Sequence, residues 1–327
     1  MAGISSQYKQ NLLYVESDEV ILSGYKKLDE RMGGFRYGEC FMVGGIAKSG
    51  KSSYLMKMVI NFLKQEKKVL YINTELDTLE FFNRIVAIDN GLYLREVEKD
   101  TKKNDFKTSL VGKWTTQYED QLFHYGISDL VKDDNVSSVT LMDIIKEKKD
   151  EGCKIVIIDN LTTYKINTKG KQEEHERLSK IWTKLINYAK KNKILVFVVL
   201  HSKDVAVWRQ TPDGIKTLFK AEKYDKVFEE SNSFVLRPGL TDFYGGAAIK
   251  SQITGALLIW RPYQNIDMQK VQKYSALILD SFRRGSNAEI KMLFYGDKLS
   301  FEEFVGFDEP ETSTDSYYIN KANEEEE

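Results

Sequence analysis

A chain of 327 residues with 42% apolar and 30% charged side chains has the composition of a globular protein. Its longest uninterrupted apolar run, Ile194–Leu200, is far too short to span a bilayer, and the opening MAGISSQYKQ lacks the apolar core of a secretion signal, so a cytoplasmic location is expected. Two cysteines, each in an apolar run, and three scattered histidines exclude a disulfide framework and zinc-ligand spacing. The net charge of −1 hides an asymmetry. Residues 308–327 hold eight acidic side chains and one lysine, and setting that −7 aside leaves a body of about +6. A mildly basic body with an acidic tail is compatible with nucleic-acid binding without requiring it.

In chain order, residues 1–20 are polar with a few apolar positions, and read as a strand, an arm onto a neighbour, or a disordered end. Ser23–Gly34 reads as a short helix between glycines. Glu39–Gly44 is an apolar strand, followed by a glycine loop and an amphipathic run with Leu55, Met58, Val59, Phe62 and Leu63 on one helical face. Lys68–Thr74 is a second strand, with a helix around Thr78–Asn90. Residues 92–135 look polar and irregular, with a strand at Leu122–Ile127. Thr140–Lys149 is a helix, Lys154–Asp159 an apolar strand ending in a carboxylate, and Thr162–Glu174 a loop. Leu178, Ile181, Trp182, Leu185, Ile186 and Ala189 recur at helical spacing before the strand Ile194–Leu200, which ends in His201. Residues 202–243 form a lysine-rich segment without periodicity, long enough to be functional or disordered. Three β-type runs follow, Ala256–Trp260, Ser275–Asp280 and Ile290–Tyr295, and the acidic tail beyond Phe304 is expected to be unstructured. Alternating strands and helices predict an α/β fold, a mostly parallel sheet flanked by helices.

The loop after the first strand carries the strongest chemical signal. Gly45-Ile-Ala-Lys48-Ser49-Gly50-Lys51-Ser52 matches G-x-x-x-x-G-K-[ST] between a strand and a helix, the context a phosphate-binding loop requires. Its glycines let successive backbone N–H groups converge on a phosphate, and the helix start adds partial positive charge. Lys48, Ser49, Gly50, Lys51, Ser52 and Ser53 complete the cradle, in which Lys51 can neutralise phosphate oxygens and the Ser52 hydroxyl can ligate Mg²⁺. The chain is therefore expected to bind a nucleoside triphosphate.

Ligands of such sheets sit at the carboxyl ends of the strands, where Glu75, Asp159 and His201 all fall by sequence. Asp159 is the candidate carboxylate holding Mg²⁺ through water, against the alternative of a turn cap. Glu75 can orient and deprotonate an attacking water. His201 can touch the γ-phosphate or be a satisfied core histidine. Arg283 and Arg284 precede Gly285, as an arginine finger reaching into a neighbour's site or as a solvated turn. Lys203, Arg209, Lys216, Lys220, Lys223 and Lys226 line the long segment, as contacts for nucleic-acid phosphates or as a merely soluble loop.

The ordered set SGYKKLDERMGG, VGGIAKSGKSS, YINTELD, CKIVIIDNLTTY, VFVVLHSKD, DFYGGAAIKSQITGALLIWRPY and ALILDSFRRGSNAEI, over residues 21–304, resembles the motor domain of DnaB-type hexameric replicative helicases, in particular the phage primase–helicase and Twinkle branch. The resemblance implies a RecA-like P-loop ATPase core that uses ATP and Mg²⁺, works as a ring, in all expectation a hexamer, and steps along single-stranded DNA. It implies Lys51, Ser52 and Asp159 as phosphate and metal residues, Glu75 as the base, His201 as the γ-phosphate sensor, and Arg283 as a finger supplied in trans. Arg261 and Tyr295 match the pair that brackets the nucleotide base, and Lys203 and Lys250 match DNA-facing positions. The acidic tail resembles those by which replication proteins hold a primase, polymerase or single-strand-binding protein, against the alternative of a solubilising disordered end. Departures from the family pattern are the absence of a preceding primase or DnaB-type N-terminal domain, a long 202–243 segment, and Ser281 where many members have lysine. Rival expectations in the same fold are a RecA/RadA-type recombinase filament and a KaiC-like regulatory scaffold.

Overall fold

The computed structural model describes residues 20–126, 141–161, 171–202, 237–243, 249–261 and 273–304, with side chains described from 179 onward in the helix that begins at Lys171. Nine strands form a single sheet: β1 (Cys40–Gly45), β2 (Val69–Asn73), β3 (Leu122–Tyr125), β4 (Ile155–Asp159), β5 (Leu195–His201), β6 (Gly255–Trp260), β7 (Tyr274–Asp280), β8 (Ala288–Tyr295) and β9 (Ser300–Glu303). Their order is β3-β2-β4-β5-β1-β6-β7-β8-β9. Strands from β3 to β6 pair in parallel, and β6 to β9 form an antiparallel flank. The described helices are α1 (Lys26–Met32), α2 (Lys51–Lys64), α3 (Thr78–Asn90), α4 (Leu94–Lys103), α5 (Leu110–Gln117), α6 (Leu141–Asp150) and α7 (Lys171–Asn192).

The central strands are continuous apolar runs because both of their faces are covered. Alternate side chains serve opposite layers. Phe41, Val43, Tyr71, Ile157, Phe197 and Val199 point into the core shared with α1 to α5. Met42, Ile72, Ile158, Val198 and Leu200 point into the core shared with α6 and α7. By the same parity the last residues of three strands, Asn73, Asp159 and His201, lie on the side of α2. The flank reads differently. In β8, Ile290, Met292 and Phe294 are buried while Glu289 and Lys291 are exposed, the alternation of a sheet with one solvated face.

Several sequence expectations need correction. Residues 92–126 are not irregular, since they carry α4 and α5. Charge hid α4, which is rich in lysine and acid and buries only Val97, while α5 is short and starts on Ser109, whose side chain accepts from Gly112 N. β3 ends at Tyr125, and the expected strand end Ile127 lies outside the described residues. The loop expected through Glu174 gives way to α7 by Lys171. A ninth strand, β9, follows Tyr295. The phosphate-loop helix α2 buries Tyr54, Met56 and Ile60 besides its expected face, because α3 and β9 also pack on it. The expected arm over residues 1–19 and the tail beyond 304 lie outside the described residues.

Candidate active site

Register brings the site together. Gly45 of β1 pairs directly with His201 of β5, and Asn73 of β2 pairs with Asp159 of β4. Four strand ends, each carrying a polar or glycine residue, thus meet along one edge of the sheet below the start of α2.

The loop from Gly45 to Ser52 is tightly folded. A Cβ on Gly45 would lie 2.4 Å from Ser49 Oγ and 2.9 Å from the Ile259 carbonyl, so only glycine fits. Gly50 has φ 95° and faces Phe301, which a Cβ would approach to 2.8 Å. Lys48, exposed, adopts φ 61°. Lys51 is buried, and its Nζ donates to the Gly45 and Ile46 carbonyls at 3.0 Å each. Burial lowers the Lys51 pKa, and the carboxylates of Asp159 and Glu75 partly offset that. Ser49 is fully buried and its Oγ has no hydrogen-bond partner among the described residues. Ser53 is buried on α2.

Asp159 is 2% exposed and accepts from Tyr71 Oη at 2.7 Å. Burial pushes its carboxyl up, while hydrogen bonds from Tyr71 and Ser52 work against that shift. Ser52 and Asp159 are therefore neighbours, as the sequence predicted for a metal pair.

Glu75 follows the end of β2, where Asn73 Oδ1 accepts from the backbone N–H of Glu75 at 2.9 Å and of Leu76 at 3.0 Å. Its carboxylate Oε1 lies 2.8 Å from His201 Nε2 and accepts from Asn160 Nδ2 at 2.7 Å. The hydrogen bond from His201, more than the nearby charges, holds the Glu75 carboxyl below its usual range, and burial opposes this. Tyr71, Asn73, Thr74 and Asn160 belong to the site but were not singled out from sequence. The available signal was position: each stands at, or within two residues of, a strand end already marked by a catalytic candidate.

Other sequence candidates separate. Arg283 is exposed and lies at the opposite end of the sheet. Asp280 pairs with Ala256 near the start of β6, Arg283 N donates to Thr254 O, and Thr254 N donates to Cys40 O at the start of β1. Its guanidinium donates to the Ser251 carbonyl. Lys250, exposed, adjoins Ser251 in the same corner, away from the phosphate loop. Arg284 turns inward: it donates to the Met32 carbonyl at 3.0 Å and the Gly34 carbonyl at 2.6 Å, and pairs with Glu39 at 2.6 Å. The solvated-turn alternative therefore fails for Arg284. Arg261 does reach the loop, donating to the Lys48 carbonyl at 3.2 Å, and its guanidinium lies 4.2 Å from the centre of the Phe294 ring. Alternation along β8 buries Phe294, whereas Tyr295 is half-buried. Burial lowers the Arg261 pKa to about 10. Lys203, Arg209, Lys216, Lys220, Lys223 and Lys226 lie outside the described residues.

The donor set fits a nucleotide phosphate: two glycines whose Cβ positions are blocked, a buried ammonium, and a buried hydroxyl without a partner among the described residues. It also fits Mg²⁺ held jointly with phosphate, since that ion takes one or two protein oxygens and completes its shell elsewhere. Among the described residues no cluster of three His, Cys, Asp or Glu could hold a metal alone, and no helix is long and apolar enough to cross a membrane.

Comparison with known proteins adds the following. The family model "DnaB-like helicase C terminal domain" matches residues 20–204. The DNA helicase/primase of enterobacteria phage T3 is 20% identical over 206 residues, covering 62% of this chain and 35% of that protein. The replicative DNA helicase DnaB of Helicobacter pylori strain J99 is 24% identical over 180 residues, covering 55% of this chain and 36% of the relative. The chain thus spans about a third of the length of these curated relatives. Among solved structures, a DnaB-like replicative helicase studied for its interactions with primase superposes with a TM-score of 0.68 at 14% identity, over 93% of this chain and 69% of that one. A KaiC-like protein of Pyrococcus horikoshii superposes less well, with a TM-score of 0.53 at 12% identity, over 88% of this chain and 100% of that one. Both likenesses show a shared fold.

Proposed function

The chain belongs to the family of DnaB-like helicase C-terminal domains, and from that premise we propose that it is an ATP-hydrolysing motor that moves on single-stranded DNA as a ring, in the manner of a replicative helicase. The observation that carries the reading is the division of the machinery between two ends of one sheet. Lys51, Asp159, Glu75 and His201 gather at the carboxyl ends of the strands, while the exposed Arg283 stands at the other end, a strand length away from its own phosphate loop. A cation so placed is out of reach of its own phosphate loop and would serve the site of another copy, through a head-to-tail contact of the kind that gives a ring where the rotation closes.

In the proposed reaction Lys51 leaves the Gly45 and Ile46 carbonyls to bind the β- and γ-phosphates of ATP. Ser52 and Asp159 would hold Mg²⁺, which supplies charge neutralisation at those phosphates. Glu75, kept ionised by its hydrogen bonds, takes the proton of the attacking water. His201, beside both Glu75 and the loop glycine, is placed to sense the γ-phosphate. Arg283 of a neighbouring copy would stabilise the transferring phosphoryl group. The 203–236 lysines and the acidic tail remain the proposed contacts for DNA and for a primase, polymerase or single-strand-binding protein.

The test is ATP hydrolysis measured with and without single-stranded DNA, alongside displacement of a labelled strand from a fork. Stimulation by DNA together with ATP-dependent displacement is expected. No stimulation and no displacement overturns the motor reading.

A further inference from the structure

Two asparagines flank Glu75. Asn73 Oδ1 accepts from the Glu75 backbone N–H at 2.9 Å and so fixes where the residue leaves β2. Asn160 Nδ2 donates to Glu75 Oε1 at 2.7 Å, and the same oxygen lies 2.8 Å from His201 Nε2. An ionised carboxylate oxygen can only accept, so both nitrogens turn hydrogens toward it, which places the His201 proton on Nε2. Asn160 Nδ2 also contacts His201 Nε2 directly.

The three groups are unequal in freedom. The side chains of His201 and Glu75 are 31% and 39% exposed, whereas Asn160 is fully buried. Its backbone is tied to β2: Thr74 Oγ1 donates to the Asn160 carbonyl at 2.9 Å, Asn160 N donates back to Thr74 Oγ1 at 3.1 Å, and Thr74 N donates to the Asp159 carbonyl at 2.8 Å. Asn160 is thus the fixed point against which two more exposed functional side chains are set.

We propose that Asn160 is a positioning residue for hydrolysis: its side-chain amide holds Oε1 of Glu75 and thereby turns Oε2 toward the attacking water. The proposal deepens the hydrolytic reading and rests on Glu75 being its base. The groups facing Glu75 are His201 from β5, Lys51 from α2, Asp159 and Asn160 from β4, and Tyr71 from β2. His201, Lys51 and Asn160 favour the ionised carboxylate, and burial disfavours it. Loss of the amide donor therefore loosens the base and moves its titration up toward the ordinary carboxylate range.

The experiment uses the full chain with ATP and Mg²⁺, in Asn160→Ala and Asn160→Asp. The second is isosteric, keeps the backbone ties to Thr74, and presents an acceptor where Glu75 needs a donor. For Asn160→Ala the single-turnover rate is expected to fall by roughly 10- to 100-fold, as a misplaced reacting group does. Affinity for a fluorescent ATP analogue should stay within about 3-fold, which is under 0.7 kcal/mol, and the acid limb of the pH–rate profile should move up. Asn160→Asp should be slower still, with the limb moved further. A parallel ¹³C titration of the Glu75 carboxyl, assigned with Glu75→Gln, reads the same shift without any hydrolysis. An unmoved Glu75 titration in both variants overturns the proposal. So does a loss of analogue binding that matches the loss of rate, which would mark Asn160 as merely structural. A chain that binds ATP without hydrolysing it, while the Glu75 titration still answers to Asn160, removes the hydrolytic reading and leaves the asparagine's hold on the carboxylate standing.

Discussion

Glu75 Oε1 and His201 Nε2 meet at 2.8 Å although they stand 126 positions apart in the chain. Their strands are not neighbours, for β4 separates β2 from β5. The contact forms because parallel strands in one sheet end at one edge, so residues at or just beyond three of those ends converge. The pair joins the proposed base to the residue that stands opposite Gly45 of the phosphate loop.

Replacing the base isolates its role. Glu75→Gln keeps a side chain of the same size and an acceptor for Asn160, but cannot take a proton. Hydrolysis should fall by about 10²- to 10⁴-fold, the usual contribution of a general base. Binding of a fluorescent ATP analogue should be unchanged. Turnover near that of the unsubstituted chain would remove Glu75 from the mechanism, and would revive a scaffold that needs nucleotide only to assemble.

Asp159 should show the opposite balance of stability and function. Burial raises its folded pKa above the unfolded value, so the folded state binds the proton more readily than the unfolded one. Stability from this group is then greatest at low pH and falls as pH rises through the folded pKa. Asp159→Asn removes the buried charge while keeping an acceptor for Tyr71 Oη. The thermal midpoint near neutral pH, without added metal, should rise by a few degrees, roughly 1 kcal/mol for a domain of this size. Mg²⁺-dependent hydrolysis should be lost. A lowered midpoint would mean that the ionised carboxylate is better solvated than its surroundings imply.

Much of this was legible in the sequence, for physical reasons that also mark where legibility stopped. β1, β2, β4 and β5 are buried on both faces and read as unbroken apolar runs, so their ends, and with them Asp159 and His201, could be placed to within a residue. The phosphate loop was legible because its glycines answer to local geometry, visible at Gly45 and Gly50. α4 was not, since a surface helix whose single buried side chain is Val97 leaves no period to find, and α5 was not, since it is too short for its buried Val111 and Trp114 to repeat. Asn160 and Tyr71 escaped for another reason: their partners are 85 and 88 residues away, and nothing local announces them. The inward turn of Arg284 depends likewise on Met32, Gly34 and Glu39, which only the fold brings near.

Gly50 gives a test of the loop that does not depend on catalysis. Its φ of 95° is strained for any side chain, and a Cβ would lie 2.8 Å from two ring atoms of Phe301. Gly50→Ala should destabilise the chain by about 2–4 kcal/mol, the sum of backbone strain and overpacking against an aromatic ring. Urea unfolding would read this as a lower midpoint at unchanged slope. Gly33, also at positive φ but with nothing within 4 Å of its Cβ position, should cost less when replaced by alanine. Equal losses at the two positions would show that contact with Phe301 contributes nothing.

The adjacent arginines should behave as different kinds of residue. Arg284→Ala leaves the buried Glu39 without its ionic partner and removes two bonds to main-chain carbonyls, so it should cost roughly 3 kcal/mol of stability. Arg283→Ala removes, among the described residues, a hydrogen bond to the exposed Ser251 carbonyl and should leave the unfolding midpoint within about 0.5 kcal/mol. Its expected cost is catalytic, on the order of 10³-fold, the usual worth of an arginine supplied to phosphoryl transfer. Because that cation sits at the far end of its own sheet, the two defects should complement. A copy carrying Arg283→Ala still has an intact cradle and base, and a copy carrying Glu75→Gln still has an intact finger. Mixed and allowed to co-assemble, the two should hydrolyse ATP faster than either alone, by an amount that peaks near equal proportions. Hydrolysis no greater than the mean of the separate preparations would place Arg283 outside any shared site, and with it would go the argument that a complete reaction centre takes two copies of the chain.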